Sequence, residues 1–166
     1  GVQTCALPIS ATPGALGVCD PDTVAGDVCA LLPDPLGHTR AIIDAGALVQ
    51  EQTPAACAKR LLAKLPATID GVVYFKKGKP FIRERGSDKG IPLARSRVPP
   101  HRRFTYYAHA DTTGADAPHS AVAQAVLTVG PGLLQRDLEQ ASWRMRGLAH
   151  GQSVALVVSA EVAARM

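Results

Sequence analysis

The chain has 166 residues, a formal net charge of +4, and 46% hydrophobic but only 4% aromatic residues. That is about one domain's length, with enough aliphatic side chains for a single core. No apolar run approaches the ~20 residues of a membrane-spanning helix, which excludes that class of membrane protein.

Residues 1–9, Gly1-Val2-Gln3-Thr4-Cys5-Ala6-Leu7-Pro8-Ile9, read as a translated sequencing adapter joined to an open frame. They lack the basic start and sustained apolar core of a signal peptide. On this reading the frame begins inside a longer gene and Met166 is a second cut end. With Cys5 set aside, Cys19, Cys29 and Cys57 remain, with no C-x-x-C pair and no zinc spacing. Scattered thiols point to a reducing, cytoplasmic setting.

Residues 10–40, rich in Pro, Gly and Asp, read as a truncated connecting segment. From 41 onward the pattern sharpens. Ala41-Ile42-Ile43-Asp44 is a short strand, turned by Asp44-Ala45-Gly46. Thr53-Pro54 is an N-cap followed by proline at the first helical position, and the helix runs to about Leu65 before Pro66. Val72-Val73-Tyr74-Phe75 is a strand, and Lys77-Gly78-Lys79 turns it into a hairpin with Phe81-Ile82-Arg83. Residues 86–103 read as a loop. Phe104–Tyr107 and Ala125–Val129 are strands, Gly130-Pro131-Gly132 leads into a helix over about Leu134–Leu148, and Ser153–Val158 is the last strand. Strands alternating with helices predict an α/β fold, a parallel sheet flanked by helices.

Between Lys76 and Arg103 stand ten lysines and arginines against Glu84 and Asp88, a local balance of +8, while the remainder carries eight against twelve. Such a segment suits nucleic acid phosphates or an acidic protein partner, or is simply a solvated loop. No aromatic residue interleaves with Arg95, Arg97, Arg102 and Arg103 to stack bases.

Two groups of residues carry candidate chemistry. The turn Thr112-Thr113-Gly114-Ala115-Asp116 follows a strand, at the end where open α/β sheets gather ligands. Gly114 permits close backbone approach, and Asp116 can accept from a ribose hydroxyl or orient an arginine. On the expected helix, Leu134, Leu138, Ala141, Met145 and Leu148 form a core stripe, with Gln140 and Arg144 adjacent on another face. Arg146 would lie roughly 200° round from Arg144 in regular helix. An arginine beside a nucleotide stabilises charge on the γ-phosphate; the plain alternative is a surface residue paired with Asp137 or Glu139. His109, Asp111, Asp116 and His119 offer metal-ligating groups, but at no spacing that matches a metal motif.

The stretch from Ala41 onward resembles very large multidomain proteins that carry domains of unknown function, often labelled ubiquitinyl hydrolase-like. The shared segments are Ile43-Asp44-Ala45-Gly46-Ala47-Leu48, Gly71 to Phe75, the Thr-x-Gly-x-Asp turn, Thr128 to Pro131, and Gln140-x-x-x-Arg144-Met145-Arg146 followed by Gly151-Gln152-Ser153-Val154. Where those proteins often read Asp-Glu-Ala-His, this chain has Ala108-His109-Ala110-Asp111. The label invites a thiol hydrolase, and Cys57 is the one cysteine in the region, set among alanines on an apolar helix face.

A second, looser resemblance is to the late motifs of superfamily 2 helicases. It implies that residues 41–166 are their C-terminal RecA-like lobe, a partial domain, with Arg144 and Arg146 as catalytic arginines and Gly114, Asp116 and Gln140 at the nucleotide. Here Arg146 follows Arg144 by two residues, whereas those helicases space the pair by three. It also implies ATP and Mg in an intact parent and a missing N-terminal lobe as partner, with none of that chemistry in the isolated fragment. The sequence holds no G-x-x-x-x-G-K-[ST] phosphate loop. The alternatives are part of a ubiquitin-conjugate hydrolase with its catalytic residues elsewhere, or a non-catalytic scaffold.

Overall fold

A computed structural model describes residues 16–148 and 150–165; the adapter-like residues 1–9 lie outside them. The described residues build one eight-stranded mixed sheet, in the order β1-β8-β7-β2-β6-β3-β4-β5. The strands are β1 (Leu16–Cys19), β2 (Thr39–Ile43), β3 (Gly71–Lys76), β4 (Lys79–Glu84), β5 (Gly90–Pro92), β6 (Arg103–Tyr107), β7 (Gln124–Val129) and β8 (Ser153–Ser159). From β1 across to β3 neighbouring strands run parallel; β4 and β5 add an antiparallel margin. The fold is α/β, as expected, but the sheet is not wholly parallel. The hairpin is the reason: Lys77 and Gly78, at φ 53° and 77°, reverse the chain within two residues.

Parallel strands covered on both faces are apolar almost throughout, and β7 (QAVLTV) and β3 (GVVYFK) are of that kind. Alternate residues feed two cores. Ile42, Val72, Tyr74, Phe104, Tyr106 and Val126 meet α1 (Pro21–Gly26), the single turn Val28–Leu31 and α2 (Pro54–Lys64) on one face. Ile43, Val73, Phe75, Tyr107, Ala125 and Leu127 meet α3 (Gln135–Ser142) and the 108–123 connection on the other. A last short helix, α4 (Ala160–Ala163), follows β8. No described helix is long and apolar enough to cross a membrane.

Three expectations change. Residues 16–31, read as part of a connecting segment, supply β1 and an internal layer: Val24, Val28 and Leu31 are fully buried. The 86–103 stretch contributes β5 and two 3₁₀ turns, Leu93–Arg95 and Pro100–Arg102. The helix expected over 134–148 stops at Ser142. The Ser142 hydroxyl bonds back to the Leu138 carbonyl at 2.8 Å, and Arg144 and Met145 then donate three residues back, the tighter pattern that ends a helix. Leu134, placed on the core stripe, is 54% exposed, while Ala141 and Met145 are buried as expected.

Candidate functional site

The connection leaving β2 runs to α2 on one face of the sheet, and that leaving β7 runs to α3 on the other. A crevice opens at the carboxyl ends of strands where neighbouring connections part in this way. The two backbones touch there: a Cβ on Gly46 would lie 2.5 Å from the Gly130 nitrogen, and one on Gly130 would lie 2.6 Å from the Gly46 oxygen. Asp44 at the end of β2 is fully buried. It accepts from the amides of Leu48 (2.9 Å) and Val49 (3.0 Å) and from the Thr128 hydroxyl (2.7 Å), which itself accepts from the Gly46 amide (2.9 Å). Burial pushes the Asp44 carboxyl up, against these hydrogen bonds, which pull it down. With every oxygen engaged inside the fold, Asp44 shapes the crevice floor.

A cavity of about 330 Å³ lies over this floor, lined by Ala45, His109, Thr112, Thr113, Leu133 and Asp137 among others. His109 Nδ1 sits 3.1 Å from the Ala45 carbonyl, so that nitrogen carries the hydrogen and Nε2 is the acceptor. Thr112 bonds back to the His109 carbonyl at 2.9 Å.

The Gly-x-Asp turn and the arginine segment meet residue on residue. Arg144 donates from Nη1 to the Ala115 carbonyl, and Arg146 Nε lies 3.5 Å from Asp116 Oδ1. Gly114, at φ 84° with open space around it, makes the turn possible. The two arginines differ sharply. Arg144 is only 8% exposed, its Nε has no hydrogen-bond partner, and no carboxylate among the described residues comes within ion-pair distance. Arg146 is exposed, its pairing with Asp116 loose and solvated.

The expected arrangement differs in detail. Asp116 faces Arg146, not Arg144, because the chain leaves helical geometry at Ser142 and turns Arg144 inward. Gln140 stays on the exposed surface of α3, where its side chain has no hydrogen bond to Arg144 or to any other described residue. Nor does Arg144 pair with Asp137 or Glu139; Asp137 lies beside Arg136, and Glu139 accepts from Gln135.

The four metal-type residues are dispersed. His109 belongs to the Ala45 carbonyl and His119 to the Tyr107 hydroxyl at 2.7 Å, and the described residues hold no cluster of three such ligands. Cys57 is fully buried against the α2 side of the sheet, and burial pushes its thiol up to about 11, the opposite of what a nucleophile needs.

Much of the basic 76–103 segment is committed to structure. Arg85 donates to the carbonyls of Leu65, Pro66 and Ile69, Arg102 to Asp70 and Ala67, Arg103 to Val98 and Arg83 to Ser87. Lys76, Lys77 and Lys79 stand exposed at the hairpin tip, with Lys76 Nζ 5.1 Å from the Phe81 ring centroid. Compared with known proteins, the chain matches no protein-family model, no curated protein and no solved structure.

Proposed function

We propose that this chain is the second, RecA-like lobe of a helicase-type nucleotidase, one that brings arginine charge to a nucleoside triphosphate held by a first lobe. The observation that supports it is the docking of the Thr112–Asp116 turn on the arginine segment: Ala115 takes Arg144 and Asp116 faces Arg146. Sequence motifs about thirty residues apart thereby form one surface carrying two guanidiniums, one of which has no acidic partner among the described residues.

A buried guanidinium stays protonated and is costly without an anion nearby. In this reading Arg146 is the reaching residue, since it is accessible and only loosely held, and Arg144 supplies fixed positive potential behind it. Asp116 orients Arg146 until phosphate oxygens replace it. ATP and Mg would be cradled by the first lobe, because this chain has arginine donors but no phosphate loop. The three exposed hairpin lysines, with the exposed Lys89, Arg95 and Arg97, are the part of the basic segment available to nucleic acid or an acidic partner.

The test is to extend the reading frame upstream in the source DNA and express the whole product. The expected result is a phosphate loop followed by an Asp-Glu pair, and ATP hydrolysis that falls about 10³-fold or more in Arg146→Ala. A frame without the loop, or hydrolysis indifferent to Arg146, overturns the proposal.

A further inference from the structure

A second cavity, of about 300 Å³, lies on the α3 side of the sheet and shares no lining residue with the carboxyl-end crevice. Asp116, Ala117, Pro118, His119, Arg146 and Gln152 line it. We infer that it is a binding site for a small sugar phosphate, with Arg146 and the His119 Nδ1–H on the phosphate and Asp116 on a sugar hydroxyl.

The Tyr107 hydroxyl is buried, and a buried O–H needs an acceptor. Among the described residues its hydrogen-bond partner is His119 Nε2, at 2.7 Å. A neutral imidazole that accepts at Nε2 carries its hydrogen on Nδ1. That nitrogen has no protein partner among the described residues, and the ring borders the cavity. The phenol thus sets the imidazole as a donor beside Arg146.

Gln152 holds the walls together. Its side-chain carbonyl accepts from the Gly147 amide at 2.7 Å, and its side-chain amide donates to the Ser120 carbonyl at 2.9 Å. This ties the turn that carries Arg146 to the segment that carries His119. Gly147 leaves room for that contact, since a Cβ there would lie 2.9 Å from the Gln152 side-chain carbonyl carbon and shift it. The volume is at the lower end for small-molecule sites, which suits a sugar phosphate better than a whole dinucleotide. A guanidinium fork and one N–H approaching from a second side match the several acceptor oxygens of a phosphate monoester. Asp116, an acceptor only, rejects a bare anion but welcomes a hydroxyl donor, which favours the sugar ester over inorganic phosphate. The site shares Arg146 and Asp116 with the nucleotidase proposal but needs no second lobe, so binding by the chain alone tests it separately from hydrolysis.

The experiment is titration of the 166-residue chain with ribose 5-phosphate, inorganic phosphate and ribose, followed by calorimetry and by ¹⁵N signals of the His119 ring. Ribose 5-phosphate should bind at least about 10-fold more tightly than phosphate or ribose, and Arg146→Ala, a surface change, should weaken it about 10-fold. His119→Asn keeps a donor near the Nδ1 position and should bind within about 3-fold of the parent; His119→Gln keeps the Tyr107 contact instead and should lose about 10-fold. Binding unaffected by Arg146→Ala, or equal in the Asn and Gln variants, overturns the site. Loss of ATP hydrolysis in a longer product would bear on the nucleotidase proposal alone.

Discussion

Arg146 lies 3.5 Å from Asp116 while Arg144, two residues earlier, reaches the carbonyl of Ala115. Neighbours in one segment thus hold neighbours in the other, one pair in solvent and one in the interior. The inner pair is the costly one, because a neutral carbonyl only partly compensates a buried guanidinium. Arg144→Met, similar in length and without charge, should therefore leave the chain as stable or more stable, by up to about 1 kcal/mol. Arg144→Ala should lose about 2 kcal/mol to the space it vacates. Urea midpoints decide it, and a marked loss in the Met variant would mean the charge has a partner after all.

His119 makes stability depend on pH. Burial pushes its pKa down to about 4, against a smaller upward pull from Asp116, whereas the unfolded chain titrates near 6.5. The unfolded state therefore binds the proton first as pH falls. Stability is fully present above about 6.5 and declines towards 4, by about 2 kcal/mol at pH 5. Asp44 and Asp111, raised by burial, act in the opposite direction at the acid end. Denaturant unfolding of parent and His119→Asn at pH 7.5 and 5 isolates the effect; equal slopes with pH would remove His119 as its source.

Gly46 and Gly78 should respond very differently to alanine. At Gly46 the added carbon meets the Gly130 backbone at 2.5 Å, and neither strand end can yield without opening the β2–β7 ladder. A loss of about 3 kcal/mol or more is expected. At Gly78, φ is 77° but the space is open, so only the left-handed conformation is penalised, about 1 kcal/mol. Thermal unfolding of the two variants gives the comparison.

Thr128→Val should cost about 2 kcal/mol, since it strands the Gly46 amide and removes one donor from the buried Asp44 carboxylate. The companion variant Thr128→Ser keeps the hydroxyl and should recover most of that. If Ser fares no better than Val, the methyl group rather than the hydrogen bonds matters.

Cys29 and Cys57 should be inert in the folded chain. Cys57 is sealed, and Cys29, pushed up to about 12 by burial and by Asp27, gives its hydrogen to the Arg60 carbonyl at 3.4 Å. Iodoacetamide at pH 7 should label neither before unfolding, with intact-mass spectrometry as the readout. Rapid labelling of Cys57 would revive a thiol role.

What the sequence discloses is local. Thr53-Pro54 starts α2 because its cap chemistry lies within four residues, and Lys77-Gly78 makes the hairpin because the turn is two residues long. The β2, β3, β6, β7 and β8 runs are apolar enough to be read alone. The elements that escape are those defined by distant partners. Leu16–Cys19 is a strand only because Leu156–Ser159 lies alongside it, and Gly90–Pro92 only because Phe81–Arg83 does. The site divides the same way. The turn and the arginine segment are visible as motifs, but which arginine faces inward depends on where α3 ends. That is set by the Ser142 back-bond, the Gly147–Gln152 contact and the Ala115 carbonyl, which no helical period encodes. The His119–Tyr107 pair is invisible in sequence for the same reason, since a loop crossing the sheet brings it together.

Among the described strands β1 pairs only with β8, Leu16 against Leu156 and Cys19 against Ser159. On a ribosome the first described strand to emerge must therefore wait, unpaired, until the last has been made. Every described strand between them can zip up first, so the β1–β8 pairing is the last of the described sheet to form. A chain released before β8 would leave β1 without its rail and the edge of β7 bare.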